Sequence, residues 1–237
     1  IGVTKSDSWI DYSTLEGCLR ETLDVIAPRA MAVLDPVKLV ITNWDALHGA
    51  GTLDTCSAPV HPHLPELGKR SFQFGRELWI ERSDYEETPP KGFFRLFPGN
   101  KVRLKYGHVI TCTGAVKDAS GAITEVHAEL IPDTKSGTPG SDSVKVKGVI
   151  TWVGASDGVS AEVRLYDRLF SEAQPDAGGK DFIESLNPDS LKTVTAIVEP
   201  SLASAVPDQK FQFERHGYFV ADRVDHVAGQ KPVFNRV

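Results

Sequence analysis

Gln212 and Arg215 lie in FQFER, residues 211–215, where Phe211 and Phe213 alternate with polar neighbours and His216-Gly217 follow. A glutamine amide carries a donor and an acceptor together, and a guanidinium presents a planar fork of donors. Three more arginines fit their apolar surroundings poorly. Arg29 follows Pro28, Arg95 interrupts FFRLF, and Arg103 alternates, together with Lys105, against Val102 and Leu104 on one strand face. Arginine forks match guanine or phosphate, and a glutamine with arginines nearby matches the acceptor–donor–acceptor edge of uracil. Single-stranded RNA is read in this manner, with splayed bases met on their pairing edges. Each residue also has a plainer use. Gln212 reads as an exposed strand residue and Arg29 as a cap on a helix C-terminus. Strict alternation sets Arg215 on the face of Phe211 and Phe213, so a base-reading role calls for a bulge or bend near Gly217.

Other chemistries find little support. The chain contains no GxxxxGK[ST] and no GxGxxG. His61 and His63 in VHPHLP, with Cys56 upstream, lack standard zinc-ligand spacing, so no metal site is expected. The three cysteines, Cys18, Cys56 and Cys112, form no CxxC pair and read as free thiols of a reducing cytoplasm. No apolar run reaches the roughly 20 residues of a membrane span, and IGVTKSDSWID lacks the features of a signal peptide.

The formal charge of the 237 residues is −6. Residues 88–117 hold Lys91, Arg95, Lys101, Arg103, Lys105 and Lys117 and no acid, a window of +6 that leaves −12 for the rest. A basic stripe on an acidic body reads either as a polyanion footprint or as a solvated face.

The elements that would position these residues are mostly strands. Ser13 and Glu16 fit a capping box for an N-terminal helix, with Leu15, Cys18, Leu19, Leu23 and Ile26 on one apolar face and Pro28 as its stop. Beyond it, AVLDPVKLVI, SFQFGRELWI, KVRLKYGHVITC, AITEVHAELI, VKVKGVITWV, AEVRLYDRLF, KTVTAIVEP and KFQFERHGYFV are short runs rich in Val, Ile, Leu and Phe. Turn material at 118–121, 133–143 and 175–179 separates them. The pattern predicts an all-β barrel or sandwich, with Trp79 and Trp152 in the core, a short helix over 181–186, and mobile loops around 44–60 and 133–143.

Six blocks carry a resemblance: APRAMAVLDPVKLVI (27–41), HPHLPELGKR (61–70), KVKGVITWV (145–153), VRLYDRLF (163–170), LNPDSL (186–191) and KFQFERHGYF (210–219). In order and along essentially the whole chain, they closely resemble the C-terminal anticodon-binding region of the glutaminyl-tRNA synthetases of bacterial type. That resemblance implies two packed six-stranded β-barrels, similar to those of a ribosomal protein that binds 5S RNA. It implies a helical connector at 1–28, a discontinuous proximal barrel at 29–75 and 165–237, and a distal barrel at 76–164. It also implies a cytoplasmic monomer whose partners are the tRNA-Gln anticodon loop and the catalytic domain of the same polypeptide. The HIGH and KMSKS elements of class I synthetases are missing; Thr4-Lys5-Ser6 and Thr134-Lys135-Ser136 resemble the second only superficially. No catalytic residue, and no cofactor, is therefore expected in this chain, with ATP used by the catalytic domain.

On the same resemblance, Arg29, Gln212 and Arg215 hold the middle anticodon base, a uracil. Arg95 meets the third base, guanine, and Arg103 the first, C or U. Weaker RNA contacts fall to Lys105, Lys101, His63, Tyr106 and Asp24. The sequence departs from the best-known bacterial pattern where Phe94 replaces a lysine, Lys105 an arginine and Tyr106 an asparagine; Asp24 and His63 stand where asparagines occur. Competing readings are the related glutamyl-tRNA synthetase of archaeal or eukaryotic type, a stand-alone RNA-binding barrel, and a β-rich protein-interaction module. For Arg29 and Gln212 to touch one base, the first and last strands must lie together, with one barrel built from both chain ends and a second inserted between them.

Overall fold

Chain ends and chain middle build different sheets. The computed structural model describes residues 12–237, so Thr4-Lys5-Ser6 and the start of the expected connector lie outside the described residues. The helix Tyr12–Ile26 follows, and Ser13 lies within it and not at the cap position the sequence suggests. Only Leu23 of its predicted apolar face is buried, against Ala27 and Tyr218, while Ile26 is exposed.

One sheet runs in the order Arg29–Ala30, Lys210–Phe213, Gly217–Ala221, Val233–Arg236, Val159–Tyr166, Leu191–Val198, Ala32–Val33. Its two edges are consecutive pieces of one stretch, broken only at Met31. The first piece pairs in parallel with Lys210–Phe213 and the second antiparallel with Leu191–Val198. A single strand thus closes the sheet into a barrel and removes its edges. The other sheet repeats the device: Gly148–Ile150, Lys101–Leu104, Val109–Lys117, Ile123–Leu130, Pro36–Ile41, Glu77–Glu81, Trp152–Gly154. Here the break is at Thr151, between a parallel and an antiparallel pairing. Each sheet therefore has seven stretches against the expected six strands, because the closing strand is interrupted; counted once, it restores six. Gly148 and Gly154 flank the second break, where a Cβ would overlap the carbonyl oxygens of Phe94 and Gln73, so the backbones approach as only glycine permits.

Strand pairing moves the expected boundaries. Pro36–Ile41 pairs with Glu77–Glu81 and Ile123–Leu130, so it belongs to the inserted barrel and not to that of the chain ends. Val159–Tyr166 pairs with Leu191–Val198 and Val233–Arg236 and belongs wholly to the chain-end barrel. The physical reason is register: Val37, Leu39 and Ile41 alternate into the core that holds Leu78, Ile80, Val126 and Ala128. The residues 44–60 carry a short helix, Trp44–His48, and a strand, Asp54–Pro59, which pairs with Lys69–Phe74 as a separate two-stranded ribbon. Phe72 and Phe74 of that ribbon pack edge-on against Trp152 in the inserted core. The chain-end core is smaller, built on alanines and on Phe211, Phe213, Phe219 and Phe234. Trp152 is fully buried and Trp79 half-buried beneath Lys38. The 3-10 turn Phe182–Ser185, capped by Asp181, occupies the expected short helix. Among the described residues no helix is long and apolar enough to cross a membrane.

Candidate nucleic-acid interface

The closing strand of the chain-end barrel sets Arg29 directly opposite Gln212 in parallel register. Parallel neighbours project to the same side of a sheet, so residues 183 positions apart share one surface. The link between them is made of side chains. Gln212 Nε2 donates to the Tyr218 hydroxyl at 3.1 Å, Tyr218 Oη donates to Asp24 Oδ1 at 2.9 Å, and Arg29 Nη2 donates to the same oxygen at 2.7 Å. Tyr218 faces Gln212 across the hairpin. The Tyr218 hydroxyl bond and the Arg29 guanidinium hold the Asp24 carboxyl below the usual range. Arg29 is buried and also donates to the carbonyls of Asp24 and Ala27, so it caps the helix C-terminus as well. His61 lies 3.0 Å from the Asp24 carbonyl, and the His63 backbone N–H donates to the His61 ring.

Arg215 reaches elsewhere. No bulge forms near Gly217; residues 214–216 make a tight turn in which His216 N–H donates to the Phe213 carbonyl, and Arg215 itself adopts φ 74°. That left-handed conformation re-aims the side chain away from the strand face. Its guanidinium crosses to the inserted barrel and donates twice to Asp84, at 2.7 Å to each carboxylate oxygen. Arg95 Nε lies 3.4 Å from the same carboxylate, and Arg95 Nη1 donates to the Ser83 carbonyl. So the structure joins Arg29 with Gln212, and Arg215 with Arg95, which the sequence had grouped differently. Beside Arg95 a cavity of about 430 Å³ opens between residues 92–95 and 147–149. The Phe94 ring on its wall is 52% exposed, with Lys147 Nζ 5.2 Å above it.

Arg103 stands apart from both groups. It donates to the carbonyls of Thr134, Gly107 and Ser141, tying down the loop at 133–143. Half of the basic stripe is paired with acids from outside it. Lys117 pairs with Glu87, Arg95 with Asp84, and Lys105 with the buried Glu214, while Lys91 and Lys101 are exposed. Glu214 also accepts from the Tyr106 hydroxyl and from Arg70, and Arg70 Nε lies 2.8 Å from Glu199. Burial pushes both the Glu199 carboxyl and the Tyr106 phenol up. This cluster joins the ribbon to both barrels. Asp84, Tyr218, Glu214 and Arg70 escaped sequence reasoning. Tyr218 alone had a signal, since pairing 213 with 217 in FQFERHGYF sets 212 opposite 218. Among the described residues no three His, Cys, Asp or Glu side chains converge to hold a metal.

Two segments of the chain match known families. Residues 27–131 match the anticodon-binding domain of class I tRNA synthetases (E and Q), and residues 149–222 match a second domain of the same description. The chain belongs to this family. The glutamine–tRNA ligase of Ralstonia nicotianae is 65% identical over 237 residues, all of this chain and 40% of that protein. That of Cupriavidus taiwanensis is likewise 65% identical over the same shares. The Bordetella parapertussis ligase is 60% identical over 235 residues, 99% of this chain and 39% of its own length. The chain thus spans about 40% of the length of these relatives. The first anticodon-binding match covers the closing strand of the chain-end barrel and most of the inserted one; the second begins at that barrel's own closing strand.

Proposed function

We propose that this chain is the anticodon-reading part of a glutamine–tRNA ligase, selecting tRNA-Gln for ATP-dependent glutaminylation by a catalytic domain outside it. The observation that carries this reading is the register of Arg29 opposite Gln212 in a chain made of two anticodon-binding domains. Gln212 spends one N–H donor on Tyr218; its other N–H and its carbonyl are the donor and acceptor that the edge of a middle uracil requires. Arg29 closes that surface, and Arg215 approaches from the turn. Arg95 reads the third base as guanine by its fork. Phe94, where the best-known bacterial pattern has a lysine, supplies a ring face for stacking beside it. Arg103 meets the first base indirectly, by holding the 133–143 loop. Lys101 contacts phosphate. The chain by itself forms no glutaminyl-adenylate, holds no cofactor, and works as a cytoplasmic monomer joined to its catalytic domain. Base recognition is remote from the chemistry, so its energy acts by placing the acceptor end in the transition state.

The test is titration of this chain with a tRNA-Gln anticodon stem-loop and with one carrying cytosine at the middle position. The parent is expected to prefer uracil, and Gln212→Ala to lose about 1–3 kcal/mol of that preference through an unmatched polar edge. Equal binding of both stem-loops by the parent refutes the reading.

A further inference from the structure

We infer that Asp84 couples the reading of adjacent bases, because one buried carboxylate orients an arginine from each barrel; this rests on the assignments of Arg215 and Arg95 above. Asp84 is fully buried, while the Arg215 and Arg95 side chains it holds are 28% and 44% exposed. It sits at the end of the 3-10 turn Arg82–Asp84, and its carbonyl accepts the Leu96 N–H at 2.9 Å, so its own backbone is anchored to the residue that follows Arg95. The two bonds to Arg215 fix a guanidinium that grows from a left-handed residue at a hairpin tip, where little else orders it. Thr151, the break in the closing strand of the inserted barrel, is 3.5 Å from the same guanidinium. Arg95 meets Asp84 through Nε and Ser83 through Nη1, and it lines the cavity beside it. One carboxylate cannot be optimal for both arginines when either moves. A base that draws Arg95 away leaves Asp84 to Arg215 alone, and a base that draws Arg215 away leaves it to Arg95 alone, so the carboxylate and the arginine still on it both shift. Asp84 touches no RNA on this account; it is a positioning residue, and its charge lowers the cluster from +2 to +1.

Two consequences separate this role from mere support of the fold. Asp84→Asn should lower discrimination at the middle and the third base together, by roughly 5-fold or more at each. It should also steepen the salt dependence of binding, since it adds one net positive charge at the interface. Arg215→Lys keeps charge and gives up the fork, and should loosen discrimination at the third base, which Arg215 does not itself meet. The experiment measures affinity of the 237-residue chain for four stem-loops: cognate, middle base changed, third base changed, and both changed, at two salt concentrations. Joint loss of discrimination in Asp84→Asn, or third-base loosening in Arg215→Lys when Asp84→Asn fails to fold, supports the coupling. Discrimination unchanged, or lost at one base only, overturns it, as does a uniform loss of affinity for all four. A parent that cannot tell the four apart refutes the anticodon reading itself, which is a different failure.

Discussion

Replacing Arg70 with methionine should cost about 4 kcal/mol of stability at pH 7, within the roughly 3–5 kcal/mol of a broken buried pair. Arg70 is 5% exposed and serves Glu199, Glu214 and the Pro59 carbonyl. Methionine fills much of the same space, so the loss is chiefly electrostatic. Glu214 retains Lys105 and Tyr106. Glu199 retains only neutral donors, the Met31 N–H and the Ser201 hydroxyl. At 1% exposure its charge has no solvent to turn to, so it takes up a proton instead. Holding that proton at pH 7 against an unfolded value near 4.3 costs about 4 kcal/mol, at roughly 1.4 kcal/mol per unit. The sign follows directly. A carboxyl whose folded pKa is raised carries no penalty below its unfolded value, and the penalty grows as pH rises above it. At pH 5 the same cost is only about 1 kcal/mol. Urea unfolding of parent and variant at pH 7 and pH 5 measures both numbers, and adding Glu199→Gln to Arg70→Met should recover most of the loss. A penalty under about 1 kcal/mol at pH 7, or one that does not shrink at pH 5, refutes the reasoning.

Two further outcomes follow from buried groups. Burial lowers the pKa of His108 despite its bond to Asp54, so the folded state refuses a proton that the unfolded chain accepts near pH 6.5. Stability should therefore be full above that pH and fall below it towards the lowered folded value, and the decline in urea midpoint from pH 7 to 5.5 should be smaller in His108→Gln. Burial also pushes Cys56 up to about 12 and Cys112 up to about 11, while Cys18 is exposed. A thiol reagent at pH 8 should titrate one cysteine in the native chain and three after denaturation; two or more reacting quickly before unfolding would show the inserted core to be open.

Alternation in the apolar runs was enough to place most strands, because strand periodicity is local and needs no partner to be visible. The shortest paired stretches were harder. The ribbon strand Asp54–Pro59 holds polar and small residues, and its place is set by pairing with Lys69–Phe74. The final strand, Val233–Arg236, spans only four residues. The barrel boundary went astray for a related reason. VKLVI reads as a strand in either barrel, and only its pairing with Glu77–Glu81 and Ile123–Leu130 assigns it.

By itself the sequence determined the strand-rich class, and it required the two chain ends to meet if Arg29 and Gln212 were to share one surface. The tertiary structure decided which charges are free. Residues 88–117 carry +6 as a string, yet Asp84 and Glu87 from just upstream and Glu214 from a hairpin a hundred residues on pair with half of those six cations. It also decided that Arg215 leaves Gln212 and joins Arg95, through a carboxylate that nothing in its SDY context marks out. Charge pairing acts through space over a few ångströms, and which acid lies within that distance is settled only when closed barrels bring strands remote in sequence side by side.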